Sequence, residues 1–137
     1  MMGRTLAAGI LLTTIATASP VTAQVRAHDE TWTAPETAAA RANPLADRTD
    51  LAAGGRKVFS QRCAACHGDD GRGTDQAPDL AQAVVQAQAD GELFWKISAG
   101  NTHAGMPAFS FLPEAQRWQL VLHVRALASH GGEPNGN

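Results

Sequence analysis

The chain has 137 residues, with 11 basic and 13 acidic side chains and a formal net charge of −2. This mild acidic balance argues against nucleic-acid binding, which requires a basic patch. Once the two polar ends described below are set aside, the folded part has little room for an apolar core of its own. A buried cofactor would supply the missing core.

The first 23 residues have the pattern of a secretory signal peptide. Arg4 provides a minimal positive region, and the apolar run over residues 6–18 is too short to span a bilayer comfortably. Small residues precede a cleavage site between Ala23 and Gln24. An uncleaved membrane anchor is the alternative, and it is disfavoured because no charged stop-transfer cluster follows the run closely. The pattern predicts export to the periplasm by a cleavable signal peptide.

The segment 24–46 is rich in Ala, Thr, Pro and charged residues, and it shows no apolar periodicity. Trp32 is its one aromatic side chain. This composition predicts a flexible N-terminal extension. Residues 131–137 are turn-rich and predict a disordered tail. The folded domain is therefore expected over residues 47–130.

The first predicted helix begins at Thr49 or Asp50, which are both good N-cap residues, and ends at Arg62. Its apolar positions recur at helical spacing and form one face, which includes Gly55 and Phe59. A glycine inside a helix costs up to about 1 kcal/mol relative to alanine. Gly55 therefore indicates either a later start of the helix or a close crossing by another helix.

Both cysteines of the sequence lie in the motif Cys-Ala-Ala-Cys-His, which runs from Cys63 through Cys66 to His67. This motif is typical of c-type haem attachment. Two thiols at this spacing can each form a thioether with one of the two vinyl groups on a porphyrin edge. The histidine that follows is then close enough for its imidazole to ligate the iron.

Three other roles are open to a cysteine pair at this spacing. A structural zinc site needs four ligands, usually from a second Cys or His pair, and the sequence has no further cysteine. A thioredoxin-like redox pair needs a βαβ context, and nothing in the chain alternates like a strand. A disulfide between Cys63 and Cys66 would close a small, strained loop. Covalent haem attachment is therefore the favoured interpretation.

Two more helices follow the motif. The glycine-rich segment 68–73 lacks the Lys-Ser/Thr of a phosphate-binding loop and predicts a backbone reversal. The second helix is expected over residues 90–100. Trp95 on this helix could pack beside the haem, donate a hydrogen bond to a propionate, or serve packing alone. The last helix is expected over residues 113–129, and it is apolar on most of its circumference, so it needs burial on two sides.

If one histidine ligates the haem iron, one axial position remains for a sixth ligand. Met106 is the one methionine beyond positions 1 and 2, and it lies in a Gly-Met-Pro loop that suits the presentation of a sulfur. A thioether is a soft, neutral ligand that raises the reduction potential. His103, in the same loop, is the main alternative. His123 is expected to pack in the last helix, and His28 and His130 lie in the predicted flexible ends.

On these motifs the chain resembles the class I c-type cytochromes, in particular the small bacterial mono-haem type. The resemblance covers residues 47–130. Cys63, Cys66 and His67 match the attachment motif and the proximal ligand, and Met106 matches the distal ligand. The resemblance implies an all-α cytochrome c fold, with three main helices packed around one covalently bound haem c and its iron.

The resemblance extends to residues around the haem. It implies that the carbonyl of Pro78 accepts a hydrogen bond from the ligating histidine and orients its ring. Leu80 matches an apolar residue that packs on the haem. The crossing of the first and last helices corresponds to Gly55 and Phe59 on one side and Leu120 and His123 on the other. The family usually has an aromatic residue where this chain has His123.

The expected function is that of an exported cytochrome that carries single electrons between periplasmic or membrane redox partners, as a monomer and not as an enzyme. The partners would be a dehydrogenase, an oxidase or a respiratory complex. A second hypothesis makes the chain the cytochrome subunit of a dehydrogenase or oxidase complex, tethered through residues 24–46. A third is an enzyme or gas sensor with a labile sixth ligand, which requires that Met106 does not bind the iron.

Overall fold

The computed structural model describes residues 24–129, so the predicted signal peptide and C-terminal tail lie outside the described residues. The elements follow in the order α1 (Glu36–Ala39), a 3-10 turn (Thr49–Leu51), α2 (Ala52–Arg62), α3 (Ala64–His67), α4 (Ala83–Gln86), α5 (Asp90–Ala99), a second 3-10 turn (Thr102–Ala104) and α6 (Glu114–Ser129). An isolated bridge between Asn101 and Met106 is the one β feature among these residues. The prediction of an all-α fold is confirmed.

Helices α2 and α6 cross at close range, and this crossing depends on Gly55. A Cβ atom on Gly55 would overlap the backbone carbonyl of Gln119 and would lie 3.1 Å from the Cβ of His123. One turn later, the rings of Phe59 and His123 pack at 4.9 Å between centroids. The glycine thus marks a close helix crossing, and the buried imidazole of His123 serves as a flat packing ring.

Helix α6 is buried on two sides, as its apolar circumference requires. Trp118, Val121 and Val124 pack in one apolar cluster with residues of α5. Leu120 packs in a second cluster with Phe59 of α2. Because the side chains of α6 are divided between two clusters, its polar face is narrow. The space between the two clusters is where the candidate site lies.

The N-terminal segment packs on this helical core although its sequence has no apolar stripe. The guanidinium of Arg41 lies 4.7 Å from the centre of the Phe94 ring and pairs with Glu114 at 2.7 Å. Asn43 is buried, and its Oδ1 accepts a hydrogen bond from the Leu45 backbone at 2.9 Å. The composition of the segment does not predict these contacts. The domain boundaries themselves stay predictions.

No helix within residues 24–129 combines the length and the apolar character that crossing a bilayer requires.

Candidate haem site

A cavity of about 620 Å³ opens between the helices, which is within the usual size range of cofactor sites. Its wall brings together six of the seven side chains predicted to contact a haem: Cys63, Cys66, His67, Pro78, Leu80 and Met106. These residues come from three separate stretches of the chain. The fold therefore gathers the attachment motif and the candidate sixth ligand around one space.

The attachment motif reaches the cavity because the chain turns sharply at its two ends. Cys63 follows α2 directly, and its backbone N–H donates to the Phe59 carbonyl at 2.8 Å. The short helix α3 then turns Cys66 and His67 toward the same cavity. Gly68 ends α3 with a φ of 80°, a left-handed conformation that favours glycine. One helical turn thus presents both thiols and the imidazole together.

His67 is held in one tautomer by a backbone carbonyl. Its Nδ1 lies 3.0 Å from the Pro78 oxygen, which can only accept, so Nδ1 carries the proton and donates. Nε2 then keeps its lone pair for a metal ion. Burial lowers the pKa of His67, and the bond to Pro78 partly offsets this effect, so the ring is neutral near pH 7. A neutral imidazole is the form that ligates iron.

The glycine-rich segment places the Pro78 carbonyl next to the imidazole of His67. The N–H of Gly73 donates to the His67 carbonyl at 2.7 Å, and the N–H of Leu80 donates to the Gly71 carbonyl at 2.9 Å. A Cβ atom on Gly73, whose φ is 82°, would lie 2.7 Å from the carbonyl carbon of Pro78. The segment is therefore a tight backbone reversal, as its sequence predicts.

The Cys63 thiol does not have the environment of a redox-active cysteine. Burial, followed by the neighbouring Cys66, raises the pKa of the Cys63 thiol to about 11. Reactive Cys-x-x-Cys pairs have a lowered pKa instead. Over residues 24–129, no three His, Cys, Asp or Glu side chains converge as a metal-binding group. Neither the thioredoxin-like nor the zinc interpretation gains support.

Met106 is presented by a narrow loop. The backbones of Asn101 and Met106 exchange two hydrogen bonds of 2.9 Å each, and the Asn101 side chain accepts from the N–H of Ala104 at 3.3 Å. Gly105 takes a φ of 88° at the turn before Met106. Met106 reaches the cavity wall, whereas His103 is exposed and does not line it. The geometry favours Met106 as the sixth ligand, which stays a prediction.

Trp95 is the one predicted site residue that the structure does not bring to the cavity wall. It packs against Trp32, with 6.4 Å between ring centroids, and Trp32 lines the cavity in its place. No sequence pattern indicates that Trp32, His28 and Lys96 also line the cavity. Lys96 stands one turn after Glu92 on α5 and resembles a surface ion pair in sequence, and the N-terminal segment carries no periodic signal.

The donor set fits a covalently bound haem. Two thiols, a neutral imidazole with one ring nitrogen available, and a thioether sulfur surround a cavity whose remaining wall is largely apolar: Phe59, Leu80, Val85, Leu93, Ile97, Phe109, Leu120 and Val124. This combination of an all-α fold and a haem-attachment motif in a cavity defines a c-type cytochrome domain, a class whose cofactor is haem c with iron.

Comparison with known proteins narrows this class. Residues 50–124 match the family model described as cytochrome c oxidase, cbb3-type, subunit III, and the chain belongs to this family. It is 41% identical over 81 residues to the cbb3-type cytochrome c oxidase subunit FixPc of Rhizobium leguminosarum bv. viciae. It is 36% identical over 80 residues to the corresponding subunit FixP of Rhizobium etli.

Each alignment includes 56% of this chain and 28% of the relative, so the chain spans little more than a quarter of these curated proteins. The comparisons also correct one expectation. The prediction that the protein is not an enzyme is wrong, because its family and these relatives are named as subunits of an oxidase. Within that enzyme class, the role of such a domain is electron transfer.

Proposed function

We propose that this chain is the haem c domain of an exported oxidase subunit, and that it passes single electrons to the oxidase from a periplasmic or membrane-bound donor. One observation carries the proposal: the Cys63–His67 motif and Met106 line the same cavity, with His67 already oriented by Pro78. The names of the relatives support an oxidase complex as the partner. The predicted signal peptide supports the periplasmic side.

Each residue of the site has a distinct task in this proposal. A bound haem would supply one-electron exchange between the ferric and ferrous states of its iron. Cys63 and Cys66 hold the cofactor covalently, so that it is retained through repeated cycles. His67 donates its Nε2 lone pair, and Pro78 prevents rotation of the ring. Met106 donates a neutral sulfur, which favours the ferrous state.

The rest of the cavity limits the reaction to electron transfer. With the His67 nitrogen and the Met106 sulfur bound, a haem in this site would have no position left on its iron for a substrate. Apolar side chains such as Phe59, Leu93 and Leu120 keep water away, which also raises the potential. Because the ligands are fixed and water is excluded, the surroundings of the iron would rearrange little when the iron gains or loses an electron.

Purification of the tagged full chain from the membranes of its own cells tests the oxidase assignment. We expect the chain to be recovered with a cbb3-type cytochrome c oxidase, and we expect the reduced chain to be oxidised by that complex in the presence of oxygen. A C63A/C66A double variant is the control, and it should support no oxidation. Recovery of a haem-bearing chain alone from the soluble fraction, without oxidase, would contradict the subunit assignment and favour a free carrier.

Asn101→Ala is expected to loosen the loop that presents Met106. The substitution removes the side-chain oxygen that accepts from Ala104 and the amide that donates to Asp29 at 3.2 Å. A loss of about 1 kcal/mol makes displacement of the sulfur by imidazole about five-fold more favourable. Imidazole titration of the ferric protein measures it, with the exposed Thr102→Ala as the control. Equal imidazole affinities in wild type and N101A would contradict the role of the loop.

A further inference from the structure

Residues 25–32, here called the strap, form part of the cavity wall although they precede the family-matched region 50–124. Their composition predicts a flexible segment, and the resemblance to the class I cytochromes does not include them. The members that line the cavity are Arg26, Ala27, His28, Asp29 and Trp32. The strap is hydrogen-bonded to both parts of the chain that carry the candidate iron ligands.

The first part of the strap is joined to the attachment motif. The N–H of Arg26 donates to the Thr74 carbonyl at 2.8 Å, and its guanidinium donates to the Gln76 carbonyl at 3.2 Å. The hydroxyl of Thr74 in turn donates to the carbonyl of Cys66 at 2.5 Å. His67 follows Cys66 directly. A chain of hydrogen bonds therefore runs from the strap to the backbone beside the proximal ligand.

Asp29 joins the strap to residues 101–106, here called the methionine loop. Its Oδ2 accepts a hydrogen bond from the side-chain amide of Asn101 at 3.2 Å. Its Oδ1 accepts from the N–H and the hydroxyl of Thr31 at 3.0 and 2.7 Å, which fix the orientation of the carboxylate. Asn101 exchanges two backbone hydrogen bonds with Met106. Asp29 is thus two hydrogen bonds away from the backbone of the candidate sulfur ligand.

Ring contacts and a further hydrogen bond hold the strap on the side of α5. The ring of Trp32 lies 6.4 Å from that of Trp95 and 5.2 Å from the ammonium of Lys96, which is buried. Nε2 of His28 lies 3.0 Å from the side-chain nitrogen of Gln88, just before α5. Since the other end of α5 leads into the methionine loop, these contacts keep the Asp29 carboxylate beside that loop.

We propose that Asp29 and Trp32 are positioning residues, which tie the methionine loop to the attachment motif and so keep the Met106 sulfur on the iron. Exposed loops open more easily than the helices beside them, and Gly105 at the turn of this loop is exposed. The strap opposes this opening because it is bonded on both sides of the cavity. The proposal rests on the proposed function, in which Met106 is the sixth ligand.

Imidazole titration of the ferric, haem-loaded full chain tests this proposal, because imidazole binds the iron only where the sulfur has left. We expect Asp29→Ala to raise the affinity for imidazole about three-fold, through the loss of one exposed hydrogen bond. We expect Trp32→Ala to raise it about ten-fold, because the strap loses its ring contacts. Trp32→Phe retains a ring and should lie closer to the wild type. Glu30→Ala, an exposed carboxylate of the same strap, is the matched control and should change nothing.

A double variant separates positioning from a general loss of stability. N101A already removes the contact with Asp29, so D29A/N101A should bind imidazole as tightly as N101A alone. Imidazole affinities in D29A and W32A equal to that of the wild type would overturn the proposal, even if both variants unfold more easily. If W32A does not fold, D29A and the double variant decide the matter.

The optical spectrum of the wild type separates failure of this proposal from failure of the proposed function. If haem is attached and the far-red sulfur band is present, unchanged imidazole affinities in the variants refute the strap proposal alone. If the wild type lacks haem, the proposed function and the strap proposal are both refuted. If haem is attached without the band, Met106 is not the ligand, and the strap proposal is overturned with that assignment.

Discussion

Replacement of Met106 by alanine is expected to lower the midpoint potential of the iron and to open its sixth coordination position. The thioether is the ligand that favours the ferrous state, and axial ligands set haem potentials over a range of roughly 0.8 V. We expect a fall that is a substantial part of that range. The weak far-red band of sulfur-ligated ferric haem should disappear. Carbon monoxide should bind the ferrous variant at neutral pH, whereas the wild type should exclude it.

His103→Ala is the control for this result. His103 lies in the same loop, three residues before Met106, but it is exposed and does not line the cavity. The variant should keep the potential, the far-red band and the resistance to carbon monoxide. A far-red band that persists in M106A, or a potential that changes in H103A and not in M106A, would show that the sulfur is not the ligand. The gas-sensor or enzyme hypothesis would then regain weight.

Gly55→Ala is expected to have the largest effect on stability. The added methyl group would overlap the backbone carbonyl of Gln119, and a helix backbone cannot move aside as a side chain can. Overpacking of this kind costs about 3 kcal/mol, a large share of the roughly 5–15 kcal/mol that stabilises a domain. Denaturant unfolding of the haem-loaded protein, followed by far-UV circular dichroism, measures the loss.

Gly54→Ala is a matched control one residue earlier. Its Cβ would lie 2.6 Å from Oε1 of Gln119, the far end of a flexible side chain that can rotate away. Alanine is favoured over glycine inside a helix by up to about 1 kcal/mol. G54A should therefore be neutral or stabilising. Equal destabilisation by G54A and G55A would mean that the α2–α6 crossing is not as close as described.

The sequence predicts those parts of the molecule that local patterns encode. The spacing of Cys63, Cys66 and His67 is a chemical requirement of haem attachment, so it is visible without a structure. The apolar periodicity of α2 and α6 likewise follows from burial of one or two helix faces. Met106 stands out because the rest of the chain beyond position 2 has no other methionine. These signals suffice for the fold class and for a c-type cytochrome, but not for the cbb3-type subunit III family.

Contacts that depend on a single long-range pair leave no such signal. Residues 25–32 show no apolar periodicity, and they are held by individual hydrogen bonds such as that between Asp29 and Asn101, 72 residues apart. Nothing in the segment itself indicates these partners. Trp95 was predicted to lie at the haem and does not line the cavity. Its position on a helix does not determine whether its ring faces the cavity or packs against Trp32. Lys96 resembles a solvated helix charge until the fold buries it.

The most direct test of the account is the intact mass and optical spectrum of the exported chain, produced in cells that attach c-type haem. We predict one haem per chain that survives acid–acetone extraction, c-type ferrous bands, and complete loss of the bound haem in C63A/C66A. A chain whose mass shows no added haem, or whose haem is removed by the extraction, would contradict covalent attachment at Cys63 and Cys66.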